Sequence, residues 1–246
     1  MGSFFCVHRS LGPEALWRLD CNEVATVEAE RVSKIYREGS IEVVAVREAS
    51  FTAQPGEMVA IMGPSGSGKT TLLSMLGCIL RPTRGSIAVC GRRVDGLDER
   101  DLPGIRRRFM GFVFQSFNLF AALTAAENVQ MMLKLKGFEP AAGRRRALEL
   151  LGAVGLAERA HALPRDLSGG EKQRVSIARA IAGDPPLILA DEPTASLDWK
   201  NGEQVITLLR DIAKSGGRTV IIVTHDHRVD PFIDRSVNLV DGELVS

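Results

Sequence analysis

Neither sign of charge dominates this chain, aromatic side chains are sparse, and no apolar run is long enough to cross a bilayer. Each shortage removes a class of function. Lys and Arg number 31 against 30 Asp and Glu, a formal net charge of +1, so no broad field draws the molecule to nucleic acid or anionic lipid. Arginine triplets do occur, at Arg106-Arg107-Arg108 and Arg144-Arg145-Arg146. Without interleaved aromatics to stack on bases they read as solvated faces, and no nucleic-acid partner is expected. The four cysteines, Cys6, Cys21, Cys78 and Cys90, lie far apart with no metal-type pairing to histidine, so reduced thiols in a cytoplasmic compartment are expected. A spanning helix needs roughly 18 or more consecutive apolar residues, which the chain lacks. Residues 1–25 also lack the basic start and long apolar core of a secretory signal, so any membrane role is expected to come through a partner.

What the sequence does contain is two glycine-rich motifs in a fixed order. Gly63-Pro64-Ser65-Gly66-Ser67-Gly68-Lys69-Thr70 follows a short apolar run, Glu57 to Met62, suited to a strand, and precedes helical spacing from Thr70 to Leu80. Closely spaced glycines let the backbone turn its N–H groups inward, and the helix start adds partial positive charge. Lys69 can then reach outer phosphates and the Thr70 hydroxyl can ligate Mg²⁺, with Thr71 beside it in the phosphate-binding set. About a hundred residues later comes Leu167-Ser168-Gly169-Gly170-Glu171. Ser168 and Glu171 form a capping box for a helix running to about Gly183, with Pro185 beyond its end. A cap alone leaves Gly169 and Gly170 unexplained, because glycine early in a helix costs about 1 kcal/mol relative to alanine. Exposed amides beside a hydroxyl at a helix start make a second phosphate grip, which suggests one nucleotide shared between two copies of the chain.

Along its 246 residues the chain reads as one large domain or one domain with an inserted lobe. Residues 1–25 show no clear period and are expected to form a weakly ordered lead to a domain covering 26–246. Alternating apolar positions at Val27 to Tyr36 and Val43 to Thr52 predict strands of a small antiparallel layer. Apolar runs at Phe109 to Phe114, Leu187 to Ala190 and Val220 to Val223 predict buried parallel strands. Their ends carry Gln115, Asp191-Glu192 and Thr224-His225, at the edge where open α/β sheets bind ligands. Helical spacing near Ala125 to Lys136 and Ala141 to Val154 predicts an inserted helical lobe over about 116–175. From Arg235 a strand, an Asp241-Gly242 turn and a short return predict an edge hairpin.

Taken together, these motifs resemble the ATPase subunit of an ATP-binding-cassette transporter, over about Thr26 to Ser246. The resemblance implies an α/β fold with a P-loop NTPase core and parallel sheet, a small antiparallel β layer and an inserted α-helical lobe. It implies ATP and Mg²⁺ as cofactors and a homodimer in which the phosphate loop of one copy faces Ser168, Gly169, Gly170 and Glu171 of the other. Successive strand residues point to opposite sides, so Asp191 and Glu192 are not expected to chelate one ion. The family pattern assigns Asp191 to Mg²⁺ and Glu192 to the attacking water. Gln115 would contact Mg²⁺ or water as a sensor tied to the helical lobe. His225 would touch the γ-phosphate and help hold Glu192, Tyr36 would stack on adenine, and Asp198, in Ser196-Leu197-Asp198, would communicate with the partner's phosphate loop. His8, His161 and His227 lack such a setting. Trp199 either packs at the dimer contact or lies exposed.

The stretches Phe114 to Phe120, Leu123-Thr124-Ala125 and Glu127-Asn128-Val129 resemble the bacterial lipoprotein-releasing and macrolide-exporting ATPases. Leu189 to Asp198, with Thr224 to Arg228 and Asp234-Arg235, is similar to the glycolipid-exporting branch. The chain departs at Phe120-Ala121, where a proline usually follows the asparagine turn. The class implies a separate integral membrane permease with a periplasmic domain, sometimes a periplasmic adaptor, and a place on the cytoplasmic face of the inner membrane. Phe117, Leu119, Phe120 and Leu123 offer an apolar surface for a permease's cytoplasmic helix, or they pack into the core. A cell-division cassette signalling through a membrane partner and a soluble non-transport cassette remain as other readings. An importer ATPase is disfavoured by the short stretch after His225.

Overall fold

The computed structural model describes residues 21, 24–39 and 41–245. The lead expected over residues 1–25 lies, apart from 21, 24 and 25, outside the described residues, as do Cys6 and His8. Two sheets organise the rest. One is antiparallel and four-stranded, in the order β2-β1-β4-β5, with β1 at Val27–Glu38, β2 at Ile41–Ala53, β4 at Arg84–Val89 and β5 at Arg92–Arg93. The other has six strands in the order β10-β9-β3-β8-β7-β6. Its members are β3 (Met58–Met62), β6 (Met110–Val113), β7 (Leu187–Asp191), β8 (Thr219–Val223), β9 (Arg235–Val240) and β10 (Glu243–Val245). Strands β9, β3, β8, β7 and β6 run parallel, and β10 returns antiparallel as the edge of the hairpin expected from Asp241-Gly242.

Every residue of β3 and β8 is buried, as a strand covered on both faces requires. Their alternation splits the core in two. Met58, Ala60, Met62, Val220 and Ile222 face a cluster with α3 (Ala125–Leu135), α4 (Pro140–Ala153), α5 (Gly169–Ala180) and α6 (Trp199–Gly216). Val59, Ile61, Ile221 and Val223 face the opposite cluster, built with α1 (Lys69–Leu76), α2 (Leu102–Phe109) and the antiparallel sheet. Helices α3, α4 and α5 pack on one another and form the lobe between β6 and β7. Helix α1 stops before Leu80 because Gly77 caps it and Cys78 then takes a left-handed φ of 52°. No helix among the described residues is long and apolar enough to cross a membrane.

The cysteine expectation is corrected. Cys21 and Cys90 form a disulfide across 69 residues, and Cys78 alone among the described cysteines is free and buried. The reason is local. The Cys90 backbone N–H donates to the Thr26 carbonyl at 2.9 Å, so the turn after β4 lies against the chain just ahead of β1. A sequence separation of that size carries no spacing signal.

Candidate nucleotide site

The loop between β3 and α1 is held in a shape open only to glycine at two positions. Gly63 has φ 148°, and a Cβ there would sit 2.2 Å from the Leu239 carbonyl oxygen. Gly68, the N-cap of α1, has φ 100°, and its Cβ would sit 2.1 Å from the Ala45 carbonyl oxygen. Pro64, Ser65 and Gly66 are exposed along the loop. Ser67 is buried and its hydroxyl has no hydrogen-bond partner. A buried orphan hydroxyl costs free energy unless something satisfies it, and a phosphate oxygen over this loop would do so. Lys69 is buried and donates to the Gly63 and Pro64 carbonyls at 2.8 and 2.7 Å, so its ammonium stays with the loop's own backbone. Thr71 follows Thr70 in the first turn of α1 and is half-buried.

Four strand ends converge on this loop, the carboxyl edge where open α/β sheets take ligands. The Thr70 hydroxyl, in the first turn of α1, donates to Asp191 Oδ1 at the end of β7 at 3.1 Å. Burial raises the Asp191 carboxyl above its ordinary value, the Thr70 hydrogen bond opposes that, and neighbouring Glu192 adds to the rise. Glu192 has a left-handed φ of 46°, and its N–H donates to the Val223 carbonyl at 2.9 Å. That backbone turn swings its carboxylate away from Thr70 toward His225, whose Nδ1 lies 2.9 Å from Glu192 Oε1. The two acidic side chains thus have different partners. Glu192 is well covered and His225 mostly open to solvent, with side-chain exposures of 16% and 66%. Gln115 is exposed just beyond β6, and its carbonyl accepts from the Ser196 hydroxyl at 3.4 Å.

At the start of α5 the capping box is complete: the Glu171 N–H donates to Ser168 Oγ at 3.3 Å and the Ser168 N–H to Glu171 Oε2 at 2.8 Å. That backbone bond, seconded by Arg159 at 3.1 Å, holds the Glu171 carboxyl below the usual range. Ser168 is exposed, whereas Gly170 is buried, and a Cβ on it would stand 2.8 Å from Asn201 Oδ1. The second glycine therefore has a packing reason beside any ligand. Asn201 in turn donates from its backbone and side chain to the Asp198 carboxylate at 3.1 and 2.6 Å, capping α6. Neither Asn201 nor Gln173 stands out in the sequence. Gln173 is wholly buried and ties α5 to the Pro193 carbonyl at 2.8 Å, leaving its Oε1 without a partner.

Tyr36, 43% exposed on β1, pairs with Val43, two residues from the Ala45 that closes on the phosphate loop. Lys34 lies over its ring at 5.4 Å. His161 is exposed, and His227 contacts Asp230 at 3.3 Å. Trp199 is half-buried beneath the Arg228 guanidinium, 4.5 Å from the ring centroid. Ile79, Phe112, Phe114, Phe120 and Met132 line a groove of about 350 Å³ with Arg179, and none of the site residues lines it. Arg179 holds the turn above it by donating to the Phe117 and Asn118 carbonyls at 3.0 and 2.5 Å. Phe120 and Ile79 remain 48% and 53% exposed there.

A glycine-bound phosphate loop at the carboxyl edge of a parallel sheet, with acidic and histidine side chains on the adjoining strand ends, defines a nucleotide-hydrolysing fold. Comparison with known proteins narrows it. Residues 46–195 match the ABC transporter family model. An uncharacterised ABC transporter ATP-binding protein of Methanocaldococcus jannaschii, MJ0796, is 45% identical over 222 residues, covering 89% of this chain and 94% of that protein. The macrolide export ATP-binding/permease protein MacB of Marinobacter nauticus is 45% identical over 219 residues, but this chain spans only 34% of its length. The dimeric structure of a post-hydrolysis state of the MJ0796 cassette, bound to ADP and Pi, superposes with a TM-score of 0.83 at 43% identity, covering 89% of this chain and 97% of that one. The chain belongs to the ATP-binding cassettes of ABC transporters and is an ATPase.

Proposed function

We propose that two copies of this chain close head to tail around two ATP molecules and drive a separate membrane permease of an exporter. The observation that carries the catalytic part is the meeting of the phosphate loop, Thr70–Asp191 and Glu192–His225 at one sheet edge. Lys69 exchanges the Gly63 and Pro64 carbonyls for the outer phosphates, and the Ser67 hydroxyl and loop amides donate to the remaining oxygens. Thr70 and Asp191, hard oxygen donors, fit Mg²⁺, with Gln115 at its border; when bound, the ion supplies charge neutralisation on the phosphates. Glu192 orients and deprotonates the attacking water, and His225 fixes the Glu192 carboxylate while reaching the γ-phosphate. Tyr36 stacks on the base.

Ser168, Gly169 and Gly170 serve the partner's ATP, and Asp198 meets the partner's phosphate loop. Glu171, with its carboxylate engaged by Ser168 and Arg159, acts by shaping the turn. The dimeric arrangement of the MJ0796 cassette supports this pairing. The name of the MacB relative, which joins ATP-binding and permease functions in one longer chain, supports an export role coupled to a permease. The groove around Phe120 receives that permease's cytoplasmic helix at the cytoplasmic face of the membrane, and the substrate is of the lipoprotein, glycolipid or drug-like kind, with a periplasmic adaptor where the export path needs one. Glu192→Gln tests the reading: removing the base should lower turnover by about 10²–10⁴-fold, keep ATP binding, and leave a closed dimer on size exclusion with Mg-ATP. Hydrolysis at the wild-type rate would refute the assignment.

A further inference from the structure

The Glu192–His225 contact is not the only bridge between the segments that follow β7 and β8. Trp199 opens α6 directly after the Asp198 cap, and its ring lies along its own helix, where a Cβ on Gly202 would touch it at 3.7 Å. Arg228 lies across that ring, 4.5 Å from the centroid. Its guanidinium is not free to wander. Nε donates to both Asp226 oxygens at 2.9 and 3.0 Å and Nη2 to Oδ2 at 2.7 Å, a planar fork gripping a carboxylate. Asp226 also caps the short helix His227–Phe232 by accepting from the Arg228 N–H at 3.0 Å, and its own N–H donates to the hydroxyl of buried Thr224 at 3.1 Å. Asp226 directly follows His225. The exposed imidazole therefore has a backbone anchored behind it, and the anchor rests on an indole attached to the segment Ser196–Asp198.

We propose that the Trp199–Arg228–Asp226 stack is a positioning device that joins the Ser196–Asp198 segment to His225 and sets its reach to Glu192. This rests on the hydrolytic reading above and extends it to residues that touch neither nucleotide nor water. The two loops are joined twice, once at His225 and Glu192 and once at Arg228 and Trp199. A displacement of Ser196–Asp198 by the second copy is thereby transmitted to the imidazole. A lone stacked cation at an exposed site is a small effect, and its sensitivity comes from geometry: a short rotation of the Asp226–Arg228 turn moves the neighbouring His225 ring off Glu192. Trp199 and Arg228 are positioning residues, and Glu192 and His225 remain the catalytic ones.

Steady-state ATPase kinetics of the full chain test this. The variants are Trp199→Ala, Trp199→Phe, Arg228→Gln, Arg228→Lys and the Trp199→Ala/Arg228→Gln double variant, with melting temperatures measured alongside. Trp199→Ala and Arg228→Gln should each lower kcat by about two- to fivefold, the range a cation on an aromatic face gives, with KM for ATP unchanged. The double variant should lose no more than either single one, because each already breaks the same link. Trp199→Phe and Arg228→Lys should restore at least half of the loss, by keeping a ring and a cation respectively. Multiplicative losses, an unchanged kcat in Trp199→Ala, or a kcat that follows melting temperature instead of the presence of a ring and a cation would overturn the proposal. Glu192→Gln in the same series separates the two levels: if it hydrolyses ATP normally, the hydrolytic reading fails regardless of Trp199. If it is inactive while the stack variants are silent, only the positioning proposal fails.

Discussion

Replacing Gly68 with alanine isolates the steric requirement of the phosphate loop. The new Cβ would stand 2.1 Å from the Ala45 carbonyl oxygen and 3.4 Å from Val46 Cγ2, where ordinary contact begins at 3.4 Å. One segment must yield by roughly an ångström, a displacement that costs on the order of 10²-fold in rate when it misplaces reacting groups. Neither can yield easily. Two residues along β2, the Arg47 N–H donates to the Gly242 carbonyl at 2.7 Å, and the Gly242 N–H donates to the Ser67 carbonyl at 3.1 Å, so loop, strand and hairpin turn are tied together. The left-handed φ of 100° adds about 1–2 kcal/mol for any residue with a Cβ, and overpacking adds a further 1–3 kcal/mol or so. Gly66→Ala is the internal control, since it shares a positive φ, 81°, but meets nothing within 4 Å. Gly68→Ala should therefore lose about 10²-fold or more in kcat/KM, while Gly66→Ala pays only the backbone term and keeps ATP affinity within about tenfold. Titration with a fluorescent ATP analogue, ATPase rates and melting temperatures on both variants provide the check. Equal losses at the two positions would show that the Ala45 contact does not set the loop.

Three other perturbations test separate parts of the molecule. Reducing the Cys21–Cys90 bridge, which closes 69 residues, should cost about 2–4 kcal/mol by freeing the unfolded chain, and a melting temperature indifferent to reductant, with Cys90→Ala as control, would count against that. Lys136 has no hydrogen-bond partner for its Nζ, and burial pushes its pKa down to about 8 against the pull of Asp184. The native state then binds fewer protons than the unfolded one between pH 8 and 10.5, so stability rises across that window. Lys136→Met should raise the melting temperature at about pH 7 and gain nothing by about pH 10, and a pH-independent gain would point to packing instead. Phe120→Asp, at an exposed groove residue away from the phosphate loop, should abolish co-purification with the permease and leave basal ATPase within about twofold. A collapse of basal hydrolysis would make Phe120 a core residue, and undiminished co-purification would remove it from the contact.

The fold was most legible where local and global demands agree. The apolar runs read at Glu57 to Met62 and Val220 to Val223 pointed to buried strands, and the strands Met58–Met62 and Thr219–Val223 are buried at every position. Alternation at Val27 to Tyr36 and Val43 to Thr52 likewise pointed to the antiparallel pair that forms as Val27–Glu38 and Ile41–Ala53. Less came through where a backbone special ends an element. Helix α1 stops at Leu76, not Leu80: Gly77 caps it and Cys78 then turns left-handed, so the stop signal was present as Gly77 although the left-handed position falls on its neighbour. The short helix Leu102–Phe109 was not anticipated although Leu102, Ile105 and Phe109 fall at helical spacing, because Pro103 and Gly104 in its first turn read as a break. Long-range chemistry was invisible in the same way. The Cys21–Cys90 bridge depends on strand β1 lying beside β4, which is a property of the sheet and not of the spacing.

At the site itself, the spacing of glycines and the polar residues after apolar runs were enough to gather Lys69, Thr70, Asp191, Glu192 and His225 at one edge. The Glu192–His225 contact was expected from the family resemblance and the divergence of the two acids from strand alternation, whereas the Thr70–Asp191 hydrogen bond and the left-handed turn at Glu192 were not readable, because they depend on backbone detail. The signature glycines show the limit of arguing from type alone. Gly170 looks like a residue kept small for a phosphate, yet its Cβ would strike Asn201, the same side chain that fixes Asp198. The turn at Ser168 and the cap at Asp198 are thus one packed unit. A substitution at Asn201 should therefore disturb both segments that face the second copy: Asn201→Ala removes the 2.6 Å bond to Asp198 and the side chain that fills the space over Gly170. If the two segments act together, ATP-dependent dimerisation measured by size exclusion should weaken in Asn201→Ala while ATP binding to the monomer stays unchanged. A dimer as stable as the wild type would mean that Gly170 and Asp198 contribute independently.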